Sequence, residues 1–123
     1  MDIHDFKIPN FVDIGSITPS SYVSCVYNSF WWIALVDNVD KDQGDVYVHF
    51  MHPHGPRKTF NWPQRADSCH IPVKNIVCAI QAPTTTTGRT YKICDKDYND
   101  TVAAYAKLHS WLNGIMIFNL FSN

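Results

Sequence analysis

Three histidines, His49, His52 and His54, fall close together, and Cys69-His70 follows them. These are nitrogen and sulfur ligands of the kind that zinc takes at about 2.0–2.3 Å. Their spacing argues against a site. His49 and His52 are three apart and would face opposite sides of a strand. Pro53 interrupts the strand that His52 and His54 would need to share. The four cysteines, Cys25, Cys69, Cys78 and Cys94, contain no CxxC pair, which removes zinc ribbons and thioredoxin-type redox motifs. Nothing around Cys69 or Cys78 supplies the setting of an activated nucleophile, while Cys25 and Cys78 read as small buried hydrophobes. Asp40, Asp42 and Asp45 offer hard oxygen ligands to calcium, but Asp and Gly are also what hairpin turns use. All 11 acidic residues are Asp. Without Glu there is no zincin HExxH motif, no EF-hand closing residue and no deaminase acid. The expectation is a protein with no catalytic residues, no metal and no cofactor.

The elements that position these residues are mostly short strands. Residues 1–19 form a lead-in segment. SYVSCVY (21–27) alternates, with Val23, Cys25 and Tyr27 on one face and Tyr22, Ser24 and Val26 on the other. Asn28-Ser29 marks a turn, and WWIALVDNV (31–39) reads as a strand buried on much of both faces. The polar turn 40–45 leads into DVYVHFMH (45–52), so this pair is the clearest hairpin. SCHIPV (68–73) and VCAIQ (77–81) are further strands, with a helical turn at 73–76 between them. RTYKIC (89–94) is a last extended piece. Residues 53–62 and the Thr84–Thr87 run with Gly88 read as loops. A mostly β fold follows, a small five-stranded barrel over 20–93. Residues 94–123 supply a helix over 101–113 and an apolar tail. Asn99 or Asp100 would cap the helix, Val102, Tyr105, Leu108 and Leu112 form its stripe, and Gly114 stops it. The tail IMIFNLF (115–121) is shorter than the roughly 20 residues of a membrane span. It would pack on the barrel or form a homodimer interface with the helix.

The arrangement SYVSCVYNSFWWIALVDNVDKDQGDVYVHF resembles the opening of a Tudor-like domain, and the likeness extends over about residues 21–81. The stretch is also similar to Src-homology-3-like barrels. FMHPHGP…FNWP…DSCHIPVKNIVCAI further looks like an uncharacterised domain of predicted invertebrate proteins, some of them mobile-element-like. The Tudor resemblance implies a non-enzymatic module that holds methyl-lysine or methyl-arginine of a peptide in an aromatic cage. It places the cage on Tyr27, Trp32 (Trp31 if the register slips) and Phe50. His52-Pro53-His54-Gly55 stands where the family has a further aromatic turn. The chemistry would be a desolvated cation against several ring faces. The same aromatics serve equally as barrel core, since adjacent Trp31 and Trp32 must point to opposite faces.

Charge adds a second candidate partner. Residues 53–92 carry Arg57, Lys58, Arg65, Lys74, Arg89 and Lys92 against Asp67, a local excess of +5, and the rest of the chain carries −6. Folded onto one side, these cations would meet an acidic peptide or a nucleic-acid backbone. Arg57, Lys58 and Arg65 are the contact candidates, with Phe60 and Trp62 as stacking or peptide-contacting rings. The N-terminus carries Asp2 and Asp5 and no sustained apolar run. An intracellular location is expected, nuclear ahead of cytoplasmic, with no membrane partner.

Overall fold

The computed structural model describes residues 12–121, with side chains through Leu108. Three antiparallel strands form its centre: β1 (Tyr22–Tyr27), β2 (Phe30–Asp40) and β3 (Asp45–Pro53). The β1–β2 hairpin turns on Asn28 and Ser29, with φ of 52° and 68°. A left-handed pair of this kind matches the twist of the flanking strands. In the β2–β3 turn the Asp40 carboxylate accepts the Gln43 N–H at 3.1 Å, and Gly44 takes φ +71°. The Asp-rich turn therefore acts as turn chemistry. Register shifts between Val36 and Asn38, and this bulge helps to bend the long strand.

Short strands complete the sheet. They are β4 (Thr59–Asn61), β5 (Ser68–Pro72), β6 (Ile76–Ile80), β7 (Thr84–Thr85) and β8 (Tyr91–Lys92). β5 pairs with the first half of β3, β6 pairs with β1, and a 3-10 turn over Val73–Asn75 joins them. The end of β3 instead pairs with β4, which continues to β8 and β7. The result is a curled antiparallel half-barrel of eight strands rather than five. β1, β2, β3, β5 and β6 answer to the expected strands. β8 lies within the expected extended piece 89–94, whereas β4 and β7 fall in stretches that read as loops and are three and two residues long, too short to write an alternation.

β3 also runs through Pro53, where an interruption was expected. The neighbouring ladder bond passes from the His54 N–H to the Thr59 carbonyl at 3.1 Å. Pro53 opposite Phe60 is thus a non-hydrogen-bonded pair, and its missing N–H costs nothing there.

Alternation divides the sheet into two apolar layers. Val23, Cys25, Ala34, Val36, Val46, Val48, Phe50 and Ile71 fill the inner layer of the curl. Ile33, Met51, Phe60 and Ile93 form the outer layer, joined by Trp31, Tyr91 and Tyr98. Helix α1 (Asp95–Phe121) packs on that outer face. It starts before Asn99 and passes through Gly114, correcting the expected 101–113 span. Asp95 and Asp97 suit its positive N-terminal end. Asp97 also accepts the Gln81 N–H at 2.9 Å, and Lys96 pairs with Asp100 one turn on. The face it buries differs too. Thr101 and Ala104 are buried, whereas Val102 is exposed. Buried Thr101 donates to buried Ser24 on β1 at 2.8 Å, and that bond fixes the helix rotation. The apolar tail falls within α1, and its side chains lie outside the described residues.

Candidate functional site

Tyr27 closes β1, Trp32 stands near the start of β2, and Phe50 and His52 end β3. Strand alternation and register bring all four to the inner face, at one end of the curl. Tyr27 stacks on Phe50 with centroids 5.3 Å apart, and Trp32 meets Phe50 at 5.7 Å and His52 at 5.6 Å. The Trp32 indole N–H donates to the Tyr27 carbonyl at 3.0 Å, so the ring is held by the hairpin that carries it. Phe50 is a closed floor at 2% exposure, while Tyr27 is 37% exposed and Trp32 half-buried. The cluster is therefore part core and part open surface.

Asp67 supplies its charge. Its carbonyl accepts the Phe50 N–H at 2.8 Å, and its carboxylate lies 2.7 Å from His52 Nε2. Cys69 is the next inner-face residue. Burial pushes its thiol up, a hydrogen bond with the Tyr27 side chain opposes this, and the Asp67 charge adds to the rise. Deeper still, burial followed by the neighbouring Cys69 pushes the Cys25 thiol up to about 12. Both shifts run opposite to the lowered pKa of an activated thiol.

The remaining candidates lie elsewhere. Trp31 belongs to the outer layer, between Phe60 at 6.1 Å and Tyr98 at 5.9 Å, and takes no part in the inner cluster. Phe60 is buried, so it is core and not a contact ring. Trp62 is half-buried and walls an open cleft of about 360 Å³ with Leu35, His49 and Asp67. Lys58 is committed to the helix. Its ammonium donates to Asp95 at 2.8 Å and lies 5.6 Å from the Tyr98 ring centre. That hydrogen bond and charge, helped by Lys92, hold the Asp95 carboxyl below its ordinary range despite some desolvation. Arg57, His54 and Arg65 are exposed on loops. Of the cations expected on one face, Lys58 and Lys92 come together at Asp95. Lys92 pairs across from Thr59, Lys74 sits in the turn beside Gly44, and Arg65 lies between β4 and β5.

His49 and His70 lie on the outer face against Tyr47, away from His52 and Cys69. No group of three His, Cys or Asp among the described residues could hold a metal ion. No helix among them is long and apolar enough to cross a membrane.

No family model, curated protein or solved structure matches the chain. The site therefore has to be read from its own geometry. One residue of the site, and one that stands beside it, escape the sequence pattern. Asp67 reaches the cluster only through the β3–β5 register, which no local signal states. Phe30 lies opposite Tyr27 in the hairpin and is 67% exposed, a position set by the turn.

Proposed function

We propose that the chain is a Tudor-like, non-enzymatic module that recognises a peptide through a methylated lysine or arginine held on its inner face. The observation that carries this is the convergence of Tyr27, Trp32, Phe50 and His52 beside the Asp67 carboxylate. A methylated cation sheds water more readily than a free ammonium and gains about 0.5–2 kcal/mol from each good ring face. Phe50 is the floor, Tyr27 and Trp32 are the walls, and the His52–Asp67 pair forms a charged rim. Asp67 fills the acidic role that the aromatic motif alone lacks. The sheet supports the same reading: β6-β1-β2-β3-β5 is a five-strand path whose end strands are joined by a 3-10 turn, compatible with a small barrel. In this reading the natural setting is a chromatin or nucleic-acid-associated protein in the nucleus. Lys58 and Phe60 then serve the fold, and Arg57 and Arg65 flank the site only as exposed charges.

Chemical-shift titration with trimethyl-lysine and symmetric dimethyl-arginine peptides tests it. The Trp32 indole N–H should move, unmodified peptides should bind more weakly, and Trp32→Ala should reduce affinity by about tenfold or more. A titration that moves no residue near Trp32 with either peptide overturns the reading.

A further inference from the structure

Phe30 is the most exposed large apolar side chain among the described residues, at 67%. The hairpin end that carries it is braced from two sides. Tyr27 and Phe30 are directly opposed in the β1–β2 hairpin, and such side chains stand about 4.5–5.5 Å apart on one face. Trp32, two residues further along β2, stands on that face too. Phe30 thus lies outside the aromatic cluster, at its mouth, and in line with its walls.

The turn beneath it is strained and braced. Asn tolerates positive φ, but Ser29 at 68° is in a region that serine seldom occupies. The Tyr105 hydroxyl of α1 donates to the Ser29 carbonyl at 2.5 Å. From the other side, the Asn75 side chain donates to the Val26 carbonyl at 3.0 Å. Helix and 3-10 turn together hold the hairpin end that presents Phe30 to solvent. A braced backbone carrying an apolar ring beside a binding site leaves less to be ordered when a ligand arrives.

The geometry points to Phe30 as a specificity-determining lip that takes an apolar side chain of the same peptide, two residues from the methylated cation. This rests on the inner-face reading and adds the sequence context that the site selects. In an extended peptide, side chains two residues apart point the same way and repeat at about 6.6–6.8 Å. Phe30 and Trp32 have the same two-residue spacing on β2. A peptide that seats its cation against Trp32 therefore carries its next same-side residue over Phe30. The rest of the rim is polar, with His52 and Asp67, so an apolar neighbour finds its partner at Phe30.

Short Gly-Ser peptides with one trimethyl-lysine test this on the full chain. Leu is placed two residues before or two residues after the modified lysine, and Ser replaces it in the control. One Leu peptide should bind about fivefold more tightly than the Ser peptide. Phe30→Ala should abolish that advantage while leaving unchanged both the Ser-peptide affinity and the preference for trimethyl-lysine over lysine. Because Phe30 is exposed, the variant should keep wild-type shifts outside the hairpin. If all peptides move Trp32 but Leu and Ser bind alike, or if the Leu advantage survives in Phe30→Ala, the lip is overturned and the inner-face site stands. If no trimethyl-lysine peptide moves Trp32, both are overturned.

Discussion

Trp31 and Trp32 are consecutive residues of β2 and face different environments. Trp31 lies in the outer layer, where Phe60, Tyr98 and the helix enclose it. Trp32 lies on the inner face, resting on Phe50 with Tyr27 and His52 beside it. Both are half-buried, so exposure does not distinguish them. What differs is the use made of the polar groups nearby. On the outer side the Lys58 ammonium is already paired with Asp95 and faces Tyr98, so ring and charge are internally matched. On the inner side, Asp67 meets a histidine, and Tyr27 stacks on Phe50 while remaining 37% exposed. An aromatic cluster whose own cation already occupies it is structural. In the proposed reading, the open part of the inner cluster beside the Asp67 carboxylate is what a cation from elsewhere would meet.

If the two faces are separate in this way, their variants should part company. Phe60→Ala empties the centre of the outer layer and should cost about 3–5 kcal/mol in urea unfolding. The folded fraction should still bind trimethyl-lysine peptide with its affinity changed by less than about twofold, since additivity holds for sites without shared partners. A stable Phe60→Ala protein that had lost the peptide would break the comparison.

The helix contact gives a sharper and smaller measure. Thr101→Val leaves the Ser24 hydroxyl fully buried without its partner, at a cost of about 1–3 kcal/mol. Adding Ser24→Ala should recover most of that loss, because two matched apolar groups replace two matched polar ones. Additive losses in the double variant would mean that the hydrogen bond does not hold the helix to β1.

How much of this was legible in the sequence follows from how locally each feature is encoded. The central strands and the opposite facing of Trp31 and Trp32 come from period-two alternation, which neighbouring residues write. Tyr27, Trp32 and Phe50 were reachable for the same reason, once a family likeness supplied the cluster. Asp67 was not, because its approach to His52 depends on β3 pairing with a strand some twenty residues away. The early start of α1 was missed because Asp95 and Asp97 look like loop residues until Lys58 and the Gln81 amide are seen to meet them. Phe60 and Trp62 illustrate the limit from another side. A proline-bounded stretch gives no periodicity, so a buried ring and a cleft wall look alike there.

The least intrusive test of the inner layer uses pH. The Cys25 thiol is buried at the centre of that layer, and burial raises it from 9.0 to about 12. In the unfolded chain the thiol ionises from about pH 9, while the folded chain keeps its proton. Between those limits the unfolded state binds fewer protons, so stability falls as pH rises, by about 1.4 kcal/mol per pH unit at most. Below pH 9 the contribution is complete. Cys69 shifts in the same direction on the same face. Tyr22, on the outer face, is raised from 10.0 by burial and then by Tyr91, so its loss begins only above pH 10. Urea unfolding at pH 8 and pH 10 should therefore read the inner layer almost alone. Cys25→Ala should flatten most of that difference, whatever it does to stability at pH 8. An undiminished slope in Cys25→Ala would show that the Cys25 thiol does not set the alkaline weakness, and flattening by Cys69→Ala would then keep it on the inner face.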